Sequence, residues 1–552
     1  MKARAESFQA IEGTRFEVCV IGGGATGAGC AWDAQLRGLK TALVEAGDFA
    51  SATSGASTKL AHGGVRYLQQ AVAGLDLGQY HVVKRALDER RLMLHNAPHL
   101  AHPLEILVPC YSRWDIFYYW AGMKLYDAIA GKGNLSPSRY RSMAESIADM
   151  PMLSREGLVG TVAYSDGQFD DARFALALVE SSVALGGEAL NYARVVGLAK
   201  DAKGRLVEAE VEDVFTRRRF RLRARAFVNA TGAFSDHIRE MAKPGIPKRL
   251  RLSKGVHILL PLDPELTRDA MLIPNTDDGR VIFAIPWLGR LLVGTTDDEA
   301  TLEDEVVVTY QEADYLLRHL NRYLGPRFGR DQIVSAFAGM RPLVAHKDAR
   351  KTKKLIRDHE VEVEPESGLI SVLGGKWTTY RAMAEDAVNS VVKLLGMPDR
   401  PCLTADHLLS GSEGFAADYW QTLVGKYALS SATAQHLAGK FGTNAPQVLE
   451  IVQRYPGLGS PIVEGLAPIR AEIVYNVHYE MAMTIEDILA RRLRLQLLSW
   501  KSAIEAAPVV GSVMASLLGW GPIETQQAVE GYVQKISRLM RKIGLVQDRP
   551  MA

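Results

Sequence analysis

The sequence predicts an α/β protein built from a parallel-sheet domain, an antiparallel-sheet domain threaded through it, and an all-helical C-terminal region. Three observations predict that architecture. A glycine-rich turn lies between a short apolar strand and a helix near the N-terminus; two further strand–turn–helix signals recur near residues 230 and 375; and the patterning becomes almost wholly helical from about residue 403.

Residues 16–21 (Phe-Glu-Val-Cys-Val-Ile) are a short β-rich run of the kind that forms a buried parallel strand. They lead into Gly22-x-Gly24-x-x-Gly27, a helix over residues 28–37 stopped by Gly38, and a second strand over 41–44 ending at Glu45. Residues 79–95 have helical periodicity and stop before Pro98. Asp170-Asp171 opens a helix that runs to Gly186-Gly187, and strands follow at 206–211, 217–225 and 227–230. Between about 245 and 335, short β-rich runs (256–260, 280–285, 291–294) alternate with turns, as in an antiparallel sheet. Residues 368–373 form another apolar strand broken by Gly374-Gly375, and 378–395 a long helix. The expected division assigns 1–75, 156–240 and 336–400 to the first domain, 76–155 and 241–335 to the second, and 401–552 to the helical domain.

The chain has 552 residues, 65 Lys+Arg against 63 Asp+Glu, and 47% apolar and 23% charged residues, which exclude a disordered chain, a collagen-like fibre and a disulfide scaffold. The near-neutral balance argues against a dedicated nucleic-acid binder. Cys19, Cys30, Cys110 and Cys402 are far apart without a CxxC pair, so reduced core thiols in a cytosol-like compartment are expected. The first fifteen residues lack the apolar stretch of a secretion signal. No run of about 20 apolar residues exists, so no membrane-spanning helix is expected. The charge-free stretch 506–523, interrupted by Pro508, Gly511, Gly519 and Gly521, reads as a packed helix between turns.

A strand, Gly22-x-Gly24-x-x-Gly27 and a helix form the fingerprint of a dinucleotide pyrophosphate site, which would include Ala25 and Thr26. The helix N-terminus offers amide donors and a positive dipole end. Glu45, eighteen residues beyond Gly27, is placed to accept ribose hydroxyls. A nicotinamide domain needs nothing two hundred residues away, whereas a flavin nucleotide crosses several strand ends. The turns at Ala230-Thr231-Gly232 and Gly374-Gly375-Lys376 therefore favour FAD, the last helix pointing its N-terminus at the flavin ring.

Residues 53–68 (Thr-Ser-Gly-Ala-Ser-Thr-Lys-Leu-Ala-His-Gly-Gly-Val-Arg-Tyr-Leu) resemble the signature of FAD-dependent glycerol-3-phosphate dehydrogenases. So do residues 97–100 (Ala-Pro-His-Leu), 285–287 (Ile-Pro-Trp), 294–297 (Gly-Thr-Thr-Asp), 339–343 (Gly-Met-Arg-Pro-Leu), 374–381 (Gly-Gly-Lys-Trp-Thr-Thr-Tyr-Arg) and 480–492 (Glu-Met-Ala-Met-Thr-Ile-Glu-Asp-Ile-Leu-Ala-Arg-Arg). The resemblance implies an FAD-binding fold of the glutathione-reductase/D-amino-acid-oxidase kind. It also implies oxidation of sn-glycerol 3-phosphate to dihydroxyacetone phosphate, a membrane quinone as electron acceptor, a cytoplasmic enzyme held peripherally at the inner face of the cell membrane, and room for a homodimer. To the cofactor it assigns Thr53, Ser54, Ser57, Lys59, Leu60, Val195, Ala230, Thr231, Gly232, Gly375, Thr378 and Thr379. Leu493 departs from the Thr that commonly follows the paired arginines, a surface detail on this reading. No Asp-x-Asp-x-[Asp/Asn]-Gly loop occurs, so no metal is expected.

The substrate's phosphate calls for arginine, whose planar fork binds phosphate oxygens in pairs. Arg66 and Arg341 stand in the matched motifs, Arg357 fits more loosely, and the resemblance adds Tyr67. Removal of the hydroxyl proton needs a base near neutrality. His257 and His62 are the candidates, with Lys376 placed to orient the hydroxyl or stabilise reduced flavin. Rival readings within the fold are a glycerol-phosphate oxidase using oxygen, whose relatives carry an additional insertion in the N-terminal half that is not evident here, and an amine or amino-acid oxidase, which would need a carboxylate clamp. Residues 217–225 read as one strand with a solvated cationic face and no nucleic-acid role. The aromatic run 115–124 suits either a lipid interface or the core. The helix bearing Arg491, Arg492, Arg494 and Lys501 is expected to face lipid, a partner subunit or water.

Overall fold

The computed structural model describes residues 4–64, 77–263, 265–325, 328–345 and 359–546. Its first sheet is built around four parallel neighbours: Arg219–Asn229, Arg15–Ile21, Thr41–Val44 and Glu188–Leu190, in that order. Ile370–Gly374 extends it in parallel beside Arg219–Asn229, and His359–Val363 adds an antiparallel edge. The Arg15–Ile21 strand is buried almost throughout, as its unbroken apolar run requires.

Residues 217–230, expected as two strands, are one strand, Arg219–Asn229. Its first half pairs antiparallel with Leu206–Asp213 and its second half runs parallel to Arg15–Ile21. The exposed arginines of that first half face Glu208, Glu210 and Glu212, so the face is solvated as expected but its cationic charge is compensated by the neighbouring strand.

Three helices cover one face of this sheet: Ala25–Leu36, Asp171–Ala184 and Tyr380–Leu394. Asp170 caps the second by accepting from the Arg173 amide at 3.3 Å. The last is preceded by a single tight turn, Trp377–Thr379.

The second sheet has as its long strands Ala101–Cys110, Gly160–Phe169, Leu250–Pro261 and Ser335–Val344. Gly160–Phe169 and Ser335–Val344 thus belong to this sheet, although the sequence division placed most of both in the first domain. The helix Arg113–Ala130 lies against this sheet through Met123, Tyr126, Ile129 and Ala130.

The C-terminal region is helical from Tyr419–Tyr427 to Pro522–Lys542. No membrane-spanning helix was expected, yet Trp500–Leu518 has the length and apolarity for one. Its Ala503, Ala507, Val510 and Met514 are buried in the core of this region.

The arginines of this region require the largest correction. Arg492 and Arg494 are each 1% exposed, and Arg491 and Leu493 are buried with them. Arg491 and Arg492 reach Asp48 at 2.6 and 2.7 Å. Arg494 donates to Asp170 at 2.8 Å and pairs with Asp171. Lys440 meets Asp170 at 2.7 Å and Arg173 meets Glu480 at 2.6 Å. The helical region is thus joined to the first domain by buried, hydrogen-bonded charge pairs.

Cys19, Cys30 and Cys110 are buried thiols, Cys402 is partly buried, and none of the four is paired. Burial pushes the Cys110 thiol up to about 12.

Candidate active site

A cavity of about 640 Å³ opens at the carboxyl ends of the parallel strands. Gly22, Gly24, Ala25, Thr26, Glu45, Thr53, Ser54, Val195, Ala230, Thr231, Gly232, Gly375 and Lys376 line it, so the structure brings together residues that stand as far apart in the chain as Gly22 and Lys376.

The glycine turn is built as its spacing implies. Gly22 has φ +107°, a conformation side chains rarely adopt. A Cβ on Gly27 would lie 1.8 Å from the Gly22 carbonyl oxygen, so only glycine allows helix and turn to approach this closely. Glu45 accepts from the Gly23 amide at 2.6 Å and the Gly47 amide at 2.8 Å. Burial raises its pKa and those two amides oppose the rise. Each carboxylate oxygen accepts more than one hydrogen bond, so Glu45 can hold the turn and a ribose together.

The residues fit FAD. At the start of Ala25–Leu36, the Ala25 amide donates to the Ser54 hydroxyl at 2.9 Å, a helix N-terminus facing the cavity as a diphosphate requires. The cavity lining includes Glu45 and Val195 as well as Gly375, Lys376 and Pro342, so the cavity draws on several strand ends as a long dinucleotide must. Its volume is in the range of small-molecule sites. The Trp377 indole donates to the Ser54 carbonyl at 2.9 Å and the Thr53 hydroxyl to the Met340 carbonyl at 2.6 Å, which joins the two sheets at the cavity wall.

Beside that wall lies a second constellation. His257 and Phe337 are register partners on Leu250–Pro261 and Ser335–Val344, and their rings stack at 4.8 Å and 13°. A Cβ on Gly255 would collide with the Arg341 guanidinium. Residues 255 and 257 share a strand face, so glycine at 255 lets the guanidinium lie alongside the imidazole. Arg341 donates to Thr295 Oγ1 at 2.7 Å and the Thr296 carbonyl at 3.0 Å, and meets Asp297 at 3.3 Å.

His257 is buried, and burial, then Arg341 and Lys59, hold its pKa well below the ordinary value. It is a neutral imidazole at physiological pH. Nε2 lies 3.0 Å from Thr58 Oγ1, and Nδ1 has no hydrogen-bond partner. A buried unpaired N–H costs more than an unpaired lone pair, which favours the tautomer with Nε2–H donating to Thr58 and Nδ1 bare.

Not every expected residue lines the cavity. The Ser57 amide and hydroxyl donate to Asp171 at 3.0 and 2.7 Å, and Lys59 Nζ meets the same carboxylate at 2.5 Å. Burial pulls the Lys59 ammonium down to about 8 against the opposing pull of Asp171. Leu60 pairs with Gln168 in the second sheet. Thr378 Oγ1 accepts from the His62 amide at 3.2 Å, and the Thr379 hydroxyl donates to the Lys376 carbonyl at 3.2 Å. Arg66, Tyr67 and Arg357 lie outside the described residues.

Thr58, Phe337, Asp171 and Trp377 are the residues sequence reasoning passed over. Thr58 and Trp377 stood inside the matched motifs. Phe337 was reachable only through the strand register, and Asp171 was read as the opening of a helix. Among the described residues no cluster of His, Cys, Asp and Glu could hold a metal ion.

The FAD dependent oxidoreductase family matches residues 17–384, and the C-terminal domain of alpha-glycerophosphate oxidase matches residues 402–525. The mitochondrial glycerol-3-phosphate dehydrogenase of Rattus norvegicus is 41% identical over 528 residues, covering 94% of this chain and 72% of that protein. The Homo sapiens protein of the same name is 40% identical over 530 residues, with the same coverage. Among solved structures, the glycerol-3-phosphate dehydrogenase from Bacillus halodurans complexed with FAD superposes with a TM-score of 0.80 at 30% identity, covering 99% of both chains.

Proposed function

Because this chain belongs to the family of FAD-dependent glycerol-3-phosphate dehydrogenases, we propose that it oxidises sn-glycerol 3-phosphate to dihydroxyacetone phosphate and delivers the electrons to a membrane quinone. The observation that carries the chemistry is the placement of the Arg341 guanidinium and a neutral, buried His257 on one sheet face, Arg341 lying on the strand whose Pro342 lines the FAD cavity.

Bound FAD supplies the two-electron acceptor for the carbon-bound hydrogen. Arg341 grips the substrate phosphate with its planar fork, and the 295–297 turn fixes the plane of that fork. His257 receives the hydroxyl proton at Nδ1, while Thr58 holds Nε2 and so sets the ring's orientation. Arrival of a phosphate dianion offsets the Arg341 charge that depresses His257, so the base strengthens as the substrate binds. Lys376, beside Gly375 at the start of its helix, orients the hydroxyl.

Anaerobic mixing of the holoenzyme with sn-glycerol 3-phosphate tests this reading. Rapid loss of oxidised-flavin absorbance is expected, and persistent colour refutes it. Steady-state turnover with a quinone analogue, without stoichiometric peroxide in air, separates the dehydrogenase from an oxidase.

The FAD site gives a sharper prediction. Gly27→Ala is expected to purify without bound FAD, because the added methyl forces the helix off the Gly22 carbonyl. Full loading, measured by flavin absorbance relative to protein, refutes the turn's role.

The same reading needs a path to the quinone. On the helix Arg113–Ala130, Trp114 is 69% exposed and Phe117 58%, with Tyr118 and Trp120 also open to solvent. Arg113 is exposed on the same helix, and the Lys124 ammonium lies 5.9 Å from the Trp120 ring. Aromatics beside basic groups suit the headgroup layer of a bilayer. Trp114→Glu combined with Phe117→Glu is expected to weaken co-sedimentation with anionic vesicles at least about tenfold, leaving activity with a water-soluble acceptor intact. Undiminished co-sedimentation excludes this helix as the contact.

A further inference from the structure

We propose that Lys59 is a positioning residue for the His257 base, acting across the Phe337 ring and held in place by Asp171 with Arg494 of the helical region. The inference rests on the assignment of His257 as the base.

The geometry is a continuous chain of contacts. Lys59 Nζ is fully buried, 2.5 Å from Asp171 and 3.0 Å from the Gly55 carbonyl. It lies 4.8 Å from the centroid of the Phe337 ring, which stacks on His257 at 4.8 Å. The residue before it, Thr58, hydrogen-bonds His257 Nε2 at 3.0 Å. One short segment therefore carries both the group that orients the imidazole and a cation that lies against the ring stacked on it. Asp171 fixes that segment three times over, through Lys59, the Ser57 amide and the Ser57 hydroxyl, and is itself anchored by Arg494 from more than 300 residues away.

Stability alone does not account for this arrangement. A buried ammonium loses its hydration, and a paired one is often no more stabilising than an apolar side chain of equal volume. What the ammonium adds, below about pH 8, is a buried positive charge close to His257. Two cations, Lys59 and Arg341, face the imidazole, with Asp171 behind the first and Asp297 behind the second. Arg341 is partly exposed and is neutralised when the substrate phosphate binds; Lys59 is sealed in and is not. Lys59 is the charge that still opposes protonation of His257 in the substrate complex. It keeps the ring a proton acceptor before the reaction and hastens proton release after it.

The test is the pH dependence of anaerobic flavin reduction by sn-glycerol 3-phosphate in the FAD-loaded enzyme. Lys59→Met is expected to move the acid limb of the profile up by about one pH unit, the effect of one charge at this separation. Lys59→Arg should restore it. Should Lys59→Met fold poorly, Phe337→Leu retains the Lys59–Asp171 pair and lets water between cation and imidazole; a shift in the same direction is expected. Profiles that superimpose on the wild type, with only a lower rate, overturn the inference. His257→Asn separates the two layers of the argument. An acid limb that survives His257→Asn removes the base assignment and this inference with it. A limb that His257→Asn abolishes, but Lys59→Met and Phe337→Leu leave unmoved, overturns the role of Lys59 alone.

Discussion

Replacing Arg341 by alanine is expected to raise the KM for sn-glycerol 3-phosphate at least about a hundredfold while FAD stays bound. Each charge-assisted hydrogen bond to phosphate contributes on the order of 1.5–3 kcal/mol, and a planar fork makes two. Arg341→Lys should recover little of the loss, since a point charge cannot reproduce the paired geometry. The guanidinium also anchors Thr295 and Thr296, so a modest loss of thermal stability accompanies the substitution. Two readouts separate the phosphate role from that structural one. The flavin-to-protein ratio should be normal, and flavin reduction driven by a high concentration of unphosphorylated glycerol should fall far less than that driven by the phosphorylated substrate. Unchanged kinetics, or equal losses on both polyols, sink the assignment.

The sequence revealed the parts of this site that local chemistry dictates. A turn that must bring backbone against an anion needs glycine at fixed spacings, and Gly22, Gly24 and Gly27 stand on the cavity wall or pack against it. Glu45 was legible because the residue ending the second strand meets the ribose in such a fold. The arginines of the helical region were misread for an equally physical reason. Charged residues are almost never fully buried unless paired, and the Asp48 and Asp170 carboxylates that meet Arg491, Arg492 and Arg494 lie 320 to 445 positions away. The helical period also fails locally. Asp487–Arg492 is a π-helical turn, with the Leu493 amide bonded to the Ile488 carbonyl, so consecutive arginines both face inward. A 3.6-residue pattern applied to that stretch sends one of them to solvent. The His257–Phe337 stack was hidden likewise, because it depends on the register of two strands eighty residues apart.

Asp48 is the position where a substitution should cost most in stability. It lies in the loop after Glu45, whose Ala46 and Gly47 line the cavity, and its carboxylate meets both Arg491 and Arg492 and accepts from the Asn191 side-chain amide at 3.0 Å. Burial alone would raise its pKa, but the two guanidiniums outweigh burial and hold it down at about 2. Asp48→Ala leaves two buried cations short of a partner, a loss of about 3–5 kcal/mol. The expected result is a melting temperature lower by roughly 3–4 °C, with FAD released as the loop loosens. The sign of the pH dependence follows from the depressed pKa. The contribution of Asp48 is complete above the ordinary carboxylate range and is lost as the pH falls toward 2, so the gap between wild type and Asp48→Asn should be constant from pH 7 to about 5 and narrow only below about 4. Arg492→Met should be damaging alone, yet the double variant with Asp48→Ala should be more stable than the two separate losses predict, since it removes both members of a buried pair. Strict additivity, or an Asp48→Ala enzyme that melts and holds FAD like the wild type, shows that these charges do not join the helical region to the cofactor domain.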